Sequence, residues 1–208
     1  MGGRGASSSN ASGGFTKNQG DAIEYYVSGD GMWINQYFRN DGEGFGDLSQ
    51  NEKDFVKDLD GALNRPVKDD VLYRSVDGSV IFGDGVDMYN LQSGIIYGGT
   101  DKYSQKAMID ANKAVGKKIT DKGYMSTTRD ASIAEEFGGF TGASNPVVMR
   151  IKTSKSTRGA NVSRATKGVS QAERYNPQKE TLLARGQSYT VNKIYGKNGI
   201  IYVDVTMD

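Results

Sequence analysis

The spacing of apolar residues changes character along this chain, and that change limits the folds it can adopt. Up to Pro66 the apolar residues recur at helical offsets. Thr16 to Val27 carries Ile23, Tyr26 and Val27 on one side, and Asp30 to Phe38 gathers Trp33, Ile34, Tyr37 and Phe38. Ser49-Gln50-Asn51-Glu52 is a capping box, followed by a helical face of Phe55, Val56, Leu59 and Leu63 that Pro66 ends. Late in the chain the pattern alternates instead. Val147 to Ile151, Gln178 to Leu183, Ser188 to Ile194 and Ile200 to Val205 read as strands, with Lys197-Asn198-Gly199 as a hairpin turn. Helices that collect early and strands that collect late predict an α+β fold rather than a doubly wound parallel sheet.

The middle of the chain is mixed. Val71 to Val76 is strand-like, Asp77 to Thr100 is polar and Gly-rich without an assignable period, and Asp101 to Val115 is helical. Gly123 to Thr128 reads as a short strand ending in three hydroxyls. Asp130 caps a helix over Ala131 to Phe137 that Gly138-Gly139 stop.

The length of 208 residues suits one domain, here taken as residues 15–208 behind a Gly/Ser-rich flexible lead of residues 1–14. The lead has no apolar stretch behind Arg4, so a conventional signal peptide is not expected. Either the chain is cytoplasmic or it leaves the cell by an unconventional route. No apolar run approaches the roughly 20 residues of a membrane-spanning helix, and no membrane partner is expected. A net charge of +1 supplies no global field toward nucleic acid. The chain has neither Cys nor His, which excludes thiol catalysis, Ser-His-Asp chemistry and Cys- or His-ligated metals. Catalysis must run on carboxylates, amides, hydroxyls, Arg, Lys or Tyr.

Within those limits three segments stand out. Strand alternation puts Gln178, Glu180 and Leu182 on one side, so Glu180 faces a cleft or core, paired with a cation or in use. Arg74 shares a face with Leu72 and Val76. Ser126, Thr127 and Thr128 form a hydroxyl cluster between the two in sequence.

An inward Arg, a hydroxyl cluster and a Gln-x-Glu strand, in that order, resemble the mono-ADP-ribosyltransferases. Further segments are similar to the clostridial binary-toxin and C3-like members. These are Ile34-Asn35-Gln36-Tyr37-Phe38-Arg39, Phe137-Gly138-Gly139, Thr157-Arg158-Gly159-Ala160-Asn161-Val162 and Leu182-Leu183-Ala184-Arg185-Gly186. The resemblance implies two perpendicular antiparallel sheets, flanked by N-terminal helices, with NAD in the cleft between them as co-substrate and no metal. It implies a monomer that modifies a target protein. Cleaving the bond from ribose to nicotinamide passes through an oxocarbenium-like cation, and the resemblance assigns Glu180 to stabilise it. Arg74 is suited to the pyrophosphate, Ser126 to fixing Glu180, and Thr127 and Thr128 to bracing the strand. Contacts to NAD are further implied for Asn35, Ser126, Thr127, Thr128, Phe137 and Gly159. The loop from Gly138 to Pro146 has no Arg for the NAD phosphates, which leaves Arg129 and Arg150 as substitutes.

Gln178 bears on the acceptor. Arg-modifying relatives have Glu at this position, which can orient and deprotonate a guanidinium, whereas an amide only exchanges hydrogen bonds. Gln178 therefore suits an Asn, Gln or hydroxyl acceptor, with a guanine-type nucleobase as the alternative and Tyr175 as the aromatic touching the target. A third reading is a catalytically silent binding or phage accessory protein on the same scaffold.

Overall fold

The computed structural model describes residues 10–11, 14–40, 46–140, 145–166 and 178–208. A short pairing of β1 (Asn10–Ala11) with β2 (Phe15–Thr16) precedes three helices, α1 (Lys17–Val27), α2 (Trp33–Arg39) and α3 (Gln50–Leu63). The capping box at Ser49 forms, with the Ser49 side chain accepting from the Glu52 amide while the Glu52 carboxylate accepts from the Ser49 amide. Thr16 and Gln19 make a second box at the start of α1.

The strand of Arg74 is β3 (Val71–Asp77), and the unassigned stretch after it is helical, α4 (Ser79–Phe82) and α5 (Met88–Tyr97). Asp87 caps α5 through the Asn90 amide, and Gly98 closes it at φ 69°, in the left-handed region. Then come α6 (Lys102–Asn112), β4 (Lys118–Asp121), β5 (Met125–Thr128) and α7 (Ala131–Phe140). The expected stop at Gly138-Gly139 does not occur, because α7 runs through both glycines. Gly138 serves packing: a Cβ there would stand 2.9 Å from the Ser75 hydroxyl and 3.1 Å from Pro146. The chain ends with β6 (Pro146–Lys152), β7 (Gly159–Asn161), α8 (Val162–Ala165), β8 (Glu180–Leu183), β9 (Gln187–Lys197) and β10 (Ile200–Met207). The last hairpin turns at Asn198 (φ 53°) and Gly199 (φ 75°), both left-handed as a two-residue turn of this kind requires.

Eight strands join in the order β4-β9-β10-β6-β3-β5-β8-β7. The array has a natural division. β3 pairs with β6 over its whole length but with β5 only through Tyr73 opposite Thr128, so a five-stranded part and a three-stranded part meet at one residue pair. The pairing is antiparallel except between β10 and β6, which run parallel, a detail outside the all-antiparallel expectation. The α+β class stands.

Each part carries its own core. Leu72, Met149, Ile151, Val203 and Val205 pack with Leu91, Ala107 and Ala111 of α5 and α6. Tyr124, Ala160, Val162 and Leu182 pack with Ile23, Tyr26, Ile34, Val56 and Leu59 of the first three helices. Burial of a side chain such as Leu182, 0% exposed, is worth about 2 kcal/mol. The seam between the cores is where the polar residues converge.

Candidate active site

Glu180 opens β8 opposite Thr128 of β5, and Leu182 lies opposite Ser126, so Glu180 and Ser126 are diagonal neighbours on one face. Glu180 is 6% exposed. Burial pushes its carboxyl up to about 7, against the opposing pull of a hydrogen bond from Ser126 and the charge of Arg74. A carboxylate so poised gains a proton near neutral pH, whereas a solvated one does so far lower.

The turn ahead of Glu180 is latched to the end of β5. Thr128 donates to the Gln178 carbonyl at 2.8 Å, the Arg129 amide donates to the Lys179 carbonyl at 3.3 Å, and Lys179 Nζ meets Asp130 at 2.7 Å. Thr127 donates to the Thr181 carbonyl. Lys179 sits at φ 48°, a left-handed conformation that is uncommon outside glycine. This bend corrects the reading of residues 178–183 as one strand. The strand begins at Glu180, Gln178 lies in a tight turn before it, and pleat alternation does not place Gln178 beside Glu180.

Arg74 projects from β3, its side chain 19% exposed. Its Nη1 is 3.9 Å from Asp121 and has no hydrogen-bond partner although it is buried. Desolvation holds the guanidinium below its ordinary value, with Asp121 countering. An orphaned charged donor of this kind carries a desolvation cost that an anion would relieve. Asp121 also accepts two hydrogen bonds from Arg39, Nε to Oδ1 at 2.9 Å and Nη2 to Oδ2 at 2.8 Å, and one from the Gly123 amide at 2.9 Å. Arg39, Arg74 and Asp121 line a cavity of about 570 Å³ together with Ser75, Tyr189 and Met149. Burial pushes the Tyr189 phenol up to about 12, so it stays a neutral donor there.

The remaining predicted positions distribute unevenly. The Asn35 amide is engaged inside the protein: it donates to the Tyr26 hydroxyl and the Tyr124 carbonyl and accepts from the Tyr124 amide at 2.7 Å. It fixes the approach to β5, and a Cβ at Gly123 would stand 2.7 Å from its Oδ1. Phe137 lies on α7, 41% exposed. Gly159 lies on β7, where a Cβ would meet the Leu182 carbonyl at 2.6 Å, and it lines a different depression. Arg129 lines that depression too, and Arg150 faces Asp204 at 3.8 Å, so neither lines the cavity of Arg74. Tyr175 is outside the described residues. Arg39 and Asp121 are not evident from sequence. The available signal was the pair of charges flanking other landmarks, Arg39 four residues after Asn35 and Asp121 two before Gly123.

Neither Glu180 nor Ser126 lines this cavity, but the charge of Arg74 reaches Glu180, and a buried carboxylate with a hydroxyl partner linked in this way to a cavity lined by two arginines is suited to glycosyl transfer from a phosphorylated substrate. The chain belongs to the ADP-ribosyltransferase exoenzyme family, whose sequence profile matches residues 5–206. It is an NAD-dependent ADP-ribosyltransferase, a transferase of the toxin group, with NAD as co-substrate. Among solved structures it is similar to a C3-type protein from S. aureus with NAD, with a TM-score of 0.67 at 20% identity over 95% of this chain and 89% of that one. It is also similar to an ADP-ribosyltransferase from Clostridium botulinum, with a TM-score of 0.65 at 20% identity over 94% of this chain and 89% of that one. An ADP-ribosyltransferase toxin from Paenibacillus larvae matches with a TM-score of 0.65 at 22% identity over 93% and 87%. No curated protein sequence matches the chain. Among the described residues no group of acidic side chains is placed to hold a metal ion.

Proposed function

We propose that this enzyme transfers ADP-ribose from NAD to an Asn, Gln or hydroxyl side chain of a target protein, with Glu180 facing the ribosyl cation and Arg74 and Arg39 holding the pyrophosphate. The observation that carries this is the buried Arg74 nitrogen without a partner on the cavity, within the electrostatic reach of Glu180. As the ribose to nicotinamide bond breaks, its electron pair leaves with nicotinamide and positive charge grows on the ribose. Ionised Glu180, held by Ser126 and only 6% exposed, stabilises that charge. The acceptor then adds to the same carbon and sheds its proton to water. Neighbours named exoenzyme and toxin support delivery of the protein into another cell.

The pH dependence follows from Glu180. The ionised form is the active one, so kcat/KM for NAD hydrolysis should fall by about tenfold per pH unit below a midpoint near 7. A flat profile across that range would remove Glu180 from the ionisation that matters.

The acceptor class rests on Gln178, which the Thr128 bond to its carbonyl holds in the turn two residues ahead of Glu180. Its amide orients a neutral nucleophile and cannot offset a guanidinium, so the wild type should leave the Arg mimic agmatine unmodified. Gln178→Glu should gain activity toward agmatine, lose the native target and keep NAD hydrolysis. Mass spectrometry of the labelled acceptor tests this: ADP-ribose on Arg side chains contradicts it, and ADP-ribose on guanine selects a nucleobase acceptor instead.

A further inference from the structure

On the face of β8 opposite to Glu180, Thr181 lines a second depression of about 550 Å³. Its walls carry four cations, Arg65, Lys68, Arg129 and Arg164, against one carboxylate, Asp69. Asp69 accepts a hydrogen bond from Thr181 at 3.0 Å, and among the described residues none of the four cations makes an ion pair. Arg65 Nη2 donates to the Gly14 carbonyl at 2.7 Å, which leaves its Nε buried without a partner. The net charge of the chain is only +1, so this concentration of positive charge is local.

We infer that this groove docks a carboxylate-rich segment of the protein acceptor. The inference rests on the reading that the acceptor is a protein. Position supports it: Arg129 forms part of the groove while its backbone amide holds the Lys179 carbonyl, so a segment seated there lies against the turn that carries Gln178 and leads into Glu180. Among the described residues the groove has one aromatic, Phe15, which is 4% exposed and covered by the Arg65 guanidinium at 4.0 Å, and this disfavours nucleic acid. Among the described residues no ring of the groove is open for a base to stack on.

The test is fluorescence anisotropy of labelled hexaglutamate, with hexalysine and a short DNA duplex as comparators, at about 50 mM NaCl, where screening is weak. Hexaglutamate should bind in preference to both comparators. The exposed pair Lys68→Glu and Arg164→Glu, made together, should weaken its binding by about tenfold or more, as loss of complementary charges does. Melting temperature and NAD hydrolysis should remain those of the wild type. No hexaglutamate binding, binding indifferent to the double substitution, or tighter variant-sensitive binding of the duplex overturns the proposal. Peptide binding is measured without NAD, so a protein that binds hexaglutamate in this way yet does not hydrolyse NAD would contradict the catalytic reading and leave the groove standing.

Discussion

Glu180→Gln should lower both NAD hydrolysis and ADP-ribosyl transfer by on the order of 10²-fold or more, the cost of removing one electrostatic partner of a developing charge. NAD affinity should stay within a few-fold, because shape and hydrogen bonding to Ser126 are retained. A second consequence is thermodynamic and has the opposite sign. Burial raises the Glu180 carboxyl from its ordinary 4.5 to about 7, so the folded protein binds the proton more tightly than the unfolded chain. Stability is then fully present at low pH and falls as pH rises through that interval. The neutral amide escapes this loss. Glu180→Gln should therefore melt at a higher temperature than wild type at pH about 8, and near the wild-type temperature at about 5. Wild-type turnover in the variant would remove Glu180 from the reaction, and equal melting at both pH values would contradict its buried ionisation.

Arg74→Lys should remove between about half and most of the stabilisation that NAD confers. Hydrogen bonds to charged groups are worth about 1.5–3 kcal/mol each, so replacing a fork by a point charge weakens binding on the order of 10- to 100-fold. At NAD about 100 times the wild-type Kd, wild type gains about 2.7 kcal/mol, and a variant binding 100-fold more weakly gains only about 0.4 kcal/mol. Differential scanning calorimetry with and without NAD reads the difference directly. Arg74 Nη1 makes no hydrogen bond in the protein and Lys keeps the charge facing Asp121, so the ligand-free melting temperature should change little. An unchanged NAD shift would place Arg74 in the fold and not in the cleft.

How much of this was legible in the sequence depends on which interactions decide each element. The capping box at Ser49 and the turn at Asn198-Gly199 are local, set by residues three or fewer apart, and both formed. Helix α5 was invisible because its apolar face is defined against α6: a Cβ at Gly94 would stand 2.9 Å from the Met108 sulfur, a contact no local window records. The same reasoning explains Gly138, which reads as a stop but is a packing glycine against Ser75 and Pro146. In the site, the order of Arg74, Ser126 and Glu180 could be read because each lies on a strand with apolar neighbours. The bend at Lys179 could not, since it is imposed by Thr128 and Asp130 about 50 residues away. Arg39 and Asp121 escaped for a related reason: their importance is the hydrogen-bonded pair they make across 82 residues of sequence.

The most direct test is to incubate wild type and Glu180→Gln with NAD labelled in its adenylate phosphate and a cell lysate, and to resolve the products before and after nuclease. Wild type should leave a nuclease-resistant label on protein, on Asn, Gln or hydroxyl side chains, and Glu180→Gln should leave essentially none. Label that persists in the variant, or that disappears with nuclease, would contradict this assignment of the site and its acceptor.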